Sequence, residues 1–186
     1  EYYTTAQHNF NDIRVSLVEE TIEVNVFNVP SLSTITNLNG NVIDGYVKNA
    51  PGQLIDVSTG NVVKEFTSDQ LGRWTLNISP LELPDLYKIK FLPGGTDILT
   101  NKIVNTSFSN IAKKEDALVS STELNITPIT TLKSAIVETK IQQKKDSGET
   151  YDLNSIISTT KTFVANKFDI SESDLELDYI EEPNKL

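Results

Sequence analysis

Asn41-Val-Ile-Asp-Gly-Tyr-Val-Lys-Asn-Ala50 decides how this chain is read. It is an alternating strand pattern interrupted at Gly45, whose backbone freedom suits a sharp change of direction. Two later segments answer it. Gly94-Gly-Thr-Asp97 follows a strand expected to end near Leu92, and Thr127-Pro-Ile-Thr-Thr-Leu132 opens a helix. There Thr127 takes the N-cap and Pro128 the first helical position, where a missing N–H costs nothing. All three segments are punctuation in a β-rich module and contain no catalytic apparatus.

Working outward, short strands alternate with turns. Asn39-Gly40-Asn41 reads as a turn into Val42-Ile43, and Tyr46-Val47 resumes the strand after Gly45. Ala50-Pro51-Gly52 reads as a turn before a strand over 53–57. Ser58-Thr59-Gly60-Asn61 precedes Val62 to Phe66, and Asp69-Gln70-Leu71-Gly72 precedes a strand from Arg73 to Ile78. Trp74, Leu76 and Ile78 share one face, which makes Trp74 a core anchor. Tyr87, Ile89 and Phe91 alternate in the same way. Further strands are expected at Leu118–Ser120 and 123–126. Strands at this spacing predict a mainly β chain, an antiparallel β-sandwich.

From Pro128 the period changes to that of a helix. Ile129, Leu132, Ile136, Val137 and Ile141 form one apolar stripe, stopped by Asp146-Ser-Gly148. A second helix, capped by Asp152 or Asn154, carries Ile156, Ile157, Thr160, Phe163, Val164 and Phe168. Ser171-Glu-Ser-Asp174 resembles a capping box for one last short turn. Each helix has a single apolar face, so the pair packs on the sheet, on each other or on a neighbour. The expected organisation is an N-terminal arm with strands over 1–36, a sandwich module over 37–126 and a helical segment over 127–186.

The N-terminal segment has two alternating runs, Ile13/Val15/Leu17 and Ile22/Val24/Val26, in opposite parity. A hairpin or a bulge between Val18 and Thr21 accounts for the shift. Two strand-like runs ahead of a self-contained module suit pairing with a neighbouring subunit's sheet edge, with those six residues as contacts. The other reading is that they simply join the same sandwich.

Composition narrows the partners. The net charge of −10 repels phosphate backbones and anionic membrane surfaces, so neither nucleic acid nor membrane is an expected partner. No apolar run approaches the ~20 residues of a spanning helix. The absence of cysteine removes a disulfide framework, thiolate metal sites and a cysteine nucleophile together. With no methionine either, the chain lacks easily oxidised sulfur, which suits an exposed location. The chain starts at Glu1 rather than Met, as expected if a leader has been removed or if this is part of something longer.

The order Gly40-x-Val42-x-Asp44-Gly45-Tyr46, Gly72-x-Trp74-x-Leu76, Tyr87-x-Ile89, Gly94 to Asp97 and Thr127 to Leu132 resembles a recurring surface module. That module occurs in large bacterial secreted or adhesin-like proteins and in structural proteins of marine tailed phages. The likeness covers roughly 37–180. It implies a β-sandwich of the carboxypeptidase-regulatory or immunoglobulin-like kind, non-enzymatic and displayed outside a cell or on a virion. One departure is the harder turn expected at Asn49-Ala50-Pro51-Gly52, where the family usually continues straight into a strand.

Candidate chemistry is sparse. His8 is the one histidine, in an arm without periodicity, and no serine lies in a nucleophile elbow. Asp44 and Asp97 flank the glycine turns and are the candidate calcium ligands, since hard cations take carboxylate and backbone oxygens. Turn chemistry, with the carboxylate accepting nearby N–H groups, is the alternative. Glu19-Glu20 and Glu181-Glu182 are adjacent in sequence, which in a strand sends the side chains to opposite faces. Gly94-Gly95 lacks the Lys-Ser/Thr of a phosphate loop. Asn77, Asn105 and Asn125 match the glycosylation pattern in a chain rich enough in Asn, Ser and Thr for chance triplets.

The expectation is a non-enzymatic structural subunit of an extracellular or virion assembly, without a cofactor. Its partners are copies of itself and neighbouring structural proteins. The alternative is a bacterial adhesin or filament subunit that binds glycans or calcium. A hydrolase accessory domain would need an aromatic platform, and Tyr2, Tyr3, Phe10 and Tyr151 are scattered.

Overall fold

The computed structural model describes residues 13–17, 20–24, 35–119 and 123–181, and the chain divides into two compact units, Glu1–Thr34 and Ile35–Leu186. In the first, β1 (Ile13–Leu17) and β2 (Glu20–Val24) form an antiparallel two-stranded sheet. Ile13 pairs with Val24, Val15 with Ile22 and Leu17 with Glu20. The parity shift is therefore a hairpin: odd positions of one arm become partners of even positions of the other. Val26 and His8 lie outside the described residues.

In the second unit, β3 (Thr36–Asn41) pairs antiparallel with β7 (Arg73–Ile78). A four-stranded antiparallel sheet runs β10 (Phe108–Lys113), β8 (Leu86–Phe91), β5 (Pro51–Asp56), β6 (Val62–Thr67). A short ladder joins β4 (Val47–Lys48) to β9 (Thr96–Asp97). Three helices follow: α1 (Lys114–Val119), α2 (Pro128–Ser147) and α3 (Leu153–Phe168), then a 3-10 turn, Glu172–Glu176.

Alternation places the core. Trp74, Leu76 and Ile78 of β7 are buried between exposed neighbours, and they share a cluster with Leu54, Tyr87, Ile89 and Phe91 of the four-stranded sheet. Trp74 stacks at a tilt on Phe66 with ring centres 5.5 Å apart, and Phe66 meets Phe91 edge-on at 5.5 Å. A second cluster joins Leu86 and Ile111 of the sheet to Val137 and Ile141 of α2 and Ile156 and Ile157 of α3. The helices thus pack on the sheet residues that alternate with the first core.

The α2 start is as expected: Thr127 and Thr130 cap each other reciprocally, Pro128 opens the helix, and Gly148 ends it in the left-handed conformation. Asp152 caps α3. The 3-10 turn differs from expectation, since the Ser171 hydroxyl makes no cap and donates to the Asp174 carboxylate at 2.6 Å.

Several local expectations are corrected. Asn39-Gly40-Asn41 is strand, paired with Thr75, Trp74 and Arg73 of β7, and on its other side the backbone of 124–126 runs in parallel: Leu124 N–H donates to Asn39 O and Ile126 N–H to Asn41 O. A Cβ on Gly40 would lie 2.2 Å from Leu124 O, so this glycine serves close approach rather than a turn. The turn comes later, at 43–46, with Gly45 at φ 93° and Tyr46 at φ 54°. Pro51 and Gly52 belong to β5, where Gly52 leaves room for the Phe66 ring. Leu118 and Val119 are not strand: Lys114–Val119 is helical, with Glu115 and Asp116 in the first turn where the helix dipole favours acids, and Ser120 lies outside the described residues.

The helical stripes hold at most positions: Val137, Ile141, Ile156, Ile157, Thr160 and Val164 are buried, and Ile129 and Ile136 pack against the Val164 cluster. Leu132, Phe163 and Phe168 are exposed, while α2 buries Thr130, Lys133 and Ser134 with Val137 and Ile141. Small hydroxyls let α2 approach β10, where Thr130 Oγ1 donates to Ser109 O at 3.0 Å and Ser109 N–H donates to Thr131 Oγ1 at 2.9 Å.

Candidate functional site

The glycine turns do converge. β4 and β9 pair Val47 with Asp97, Ile98 N–H donates to Tyr46 O at 2.9 Å, and the Asp97 carboxylate occupies the space a Gly45 side chain would need. That carboxylate is already employed. It accepts the Thr100 hydroxyl at 2.6 Å and the Leu99 N–H at 2.8 Å, and these bonds, the Thr100 hydroxyl foremost, hold it below the usual carboxylate range. Asp44 is exposed on the same turn. Among the described residues, no group of three or more His, Cys, Asp or Glu is placed to hold a metal.

The same arrangement recurs at other loops. Asp69 accepts the Leu71 and Arg73 N–H groups at 2.8 and 2.9 Å. Asp56 accepts the Ser58 N–H at 2.8 Å and the Ser58 and Thr59 hydroxyls. Burial pushes Asp56 up, but these bonds together hold it below its ordinary value. Each carboxylate satisfies main-chain donors that a tight turn would otherwise leave to water. The chemistry of these acids is to hold loop shape.

A buried polar network, not expected from the pattern, lies at the C-terminal end. Tyr46 Oη donates to Asp178 Oδ2 at 2.7 Å, and Asn41 Nδ2 donates to the same oxygen at 3.3 Å. Asn41 N–H donates to Asn125 Oδ1 at 2.9 Å, and Asn125 Nδ2 donates to Glu176 O at 2.9 Å. Asn110 Nδ2 donates to Asn125 O at 2.9 Å. Burial, and then the bond to Asp178, pushes the Tyr46 phenol up. Asn125, the last glycosylation-like triplet, is thus a buried hub.

Next to it, Lys133 of α2 is 1% exposed and pairs with Glu176 at 2.5 Å. Burial pulls the Lys133 amine below its ordinary range, with Glu176 opposing. Burial pushes Glu176 up, yet the Lys133 ammonium outweighs it and holds the carboxyl low. The Glu176 side chain keeps 25% of its surface open, whereas that of Lys133 is closed off at 1%. A sequence signal existed: Lys133 and Val137 are four apart and so share a helix face.

A cavity of about 310 Å³ opens beside this pair, lined by Tyr87, Ile111, Asp116, Lys161 and Glu176 among others. Of its carboxylates, Asp116 and Glu123 are exposed and Glu176 is paired with Lys133.

Of the candidate assembly residues, Ile13, Val15, Leu17, Ile22 and Val24 fall on the paired strands of the hairpin. No described helix is long and apolar enough to cross a membrane. Comparison with protein-family models, curated proteins and solved structures yields no match for this chain.

Proposed function

We propose that this chain is a non-enzymatic structural subunit of an extracellular or virion assembly, acting through contacts with copies of itself and with neighbouring structural proteins. In this reading the unit from Ile35 onward is a two-layer sandwich of the carboxypeptidase-regulatory or immunoglobulin-like kind. Contact of Trp74 on one sheet with Phe66 and Phe91 on the other supports two stacked layers.

The observation that carries the assembly role is the hairpin. Among the described residues, β1 and β2 make a sheet of two strands within a unit of their own. An isolated two-stranded hairpin is marginal in water, and a third strand or a packed face is what stabilises one. Alternating Ile and Val residues on both arms give such a partner something to bury. The loop carboxylates agree with a scaffold role, because they hold turns rather than face a reacting group.

Negative-stain microscopy and sedimentation of the full chain test this. Ordered repeats or concentration-dependent oligomers are expected; a dispersed monomer at all concentrations, alone and with its native particle or surface, contradicts it.

A second reading, an adhesin or filament subunit on a bacterial surface, draws on one loop. Leu99 and Ile103 are 74% and 66% exposed there, which is an apolar tip suited to contact.

A further inference from the structure

Resting on that assembly reading, we infer that the outer edge of β6 is the acceptor, and that β2 of a second copy adds to it antiparallel.

The sheet edges of the second unit are not equivalent. On β3 the backbone at 124–126 supplies a parallel partner. On β10, Ser109 gives its N–H and C=O to the Thr131 and Thr130 hydroxyls. On β7, Arg73 exchanges bonds with Asp69 through N–H and C=O, and Asn77 O accepts the Lys64 ammonium at 2.7 Å. β6 ends the four-stranded sheet, and among the described residues its main chain bonds only to β5. Five of its six residues are exposed, Val62 at 46% and Val63 at 39%. An open edge with apolar residues is a template for another strand.

Lys64 and Glu65 on that edge exclude indiscriminate pairing and set what fits. β2 is matched to that edge through Glu23. Antiparallel alignment that places Glu23 opposite Lys64 also places Val24 opposite Val63, an ion pair beside an aliphatic pair. Because donor and acceptor are different surfaces, reciprocal exchange closes a dimer and one-way exchange builds a filament.

The test is sedimentation of the full chain over a concentration series, with melting curves to establish folding. The wild type should self-associate. Lys64→Glu and Glu23→Lys should each weaken association by roughly threefold, and the two together should restore it. Val63→Asp should weaken it further while leaving the melting of the second unit in place. If Ile22→Pro abolishes association but the Lys64, Glu23 and Val63 variants associate like the wild type, the β6 acceptor is wrong and the hairpin reading stands. A wild type that stays monomeric throughout overturns both.

Discussion

The Tyr46 hydroxyl donates to the Asp178 carboxylate at 2.7 Å, joining a turn after the first strand of the second unit to the last described segment, 132 residues on. Tyr46 has a left-handed backbone, φ 54°, where non-glycine residues are uncommon, and the bond secures the side chain of that unfavourable residue. Asp178 also accepts Asn41 and the N–H groups of Ile180 and Glu181. Tyr46→Phe should therefore cost about 1 kcal/mol, and Asp178→Ala about 2–3 kcal/mol because it orphans several donors. Urea unfolding of the two singles and the double should show the double falling short of their sum.

The buried ion pair makes a sharper forecast. Lys133→Met should destabilise by roughly 3 kcal/mol at neutral pH, since it strands a partly buried carboxylate, whereas Lys133→Met with Glu176→Leu should recover most of the loss. The pH dependence follows from the shifts. Glu176 is held low in the fold, so its contribution is present above the ordinary carboxylate value and fades as pH falls through the folded value. Lys133 is also held low, so the unfolded chain binds more protons between the folded and ordinary lysine values, and stability rises with pH across that window. Chemical unfolding across pH checks both arms.

Asp97 separates turn chemistry from calcium. Its folded carboxyl is depressed, chiefly by the Thr100 hydroxyl, so its small stabilisation is present above the ordinary value and lost in acid. Thr100→Val should shrink that acid-sensitive part. Melting temperatures in calcium and in chelator should coincide, because a folded-state ligand would raise them by mass action. A calcium-dependent rise abolished by Asp97→Ala would establish the metal site instead.

Gly40 is a steric forecast. Alanine there would put its Cβ 2.2 Å from Leu124 O, and backbone cannot yield as a side chain does. Gly40→Ala should cost about 3 kcal/mol or more, at the upper end for overpacking. Gly60→Ala meets open space and only a positive φ, so about 1 kcal/mol is expected. Thermal unfolding of the pair tells close approach from simple turn preference.

What the sequence made legible was local. Alternation found Trp74, Leu76 and Ile78 as one buried face, and Thr127-Pro128 with Gly148 marked both ends of α2. Long-range relationships escaped it. Gly40 read as a turn because nothing nearby announces that residue 124 passes beside it. The α2 stripe held at Val137 and Ile141 but left out Thr130 and Ser134, because apolar counting ignores them, and their small hydroxyls are what let the helix meet β10. Lys133 and Asp178 were passed over, and Asn125 was read only as a glycosylation-like triplet, for the same reason: a polar residue declares its burial only through partners far along the chain. Of the candidate site, the two aspartates were located beside the right turns, and Asp97 is occupied as the turn alternative describes.

The central proposal is that the hairpin completes itself on another copy, and amide hydrogen exchange over residues 13–24 at rising protein concentration tests it most directly. Protection that grows with concentration, and that disappears in the Ile22→Pro chain, is the expected result. Exchange at the same rate at every concentration, whether fast or slow, would contradict it.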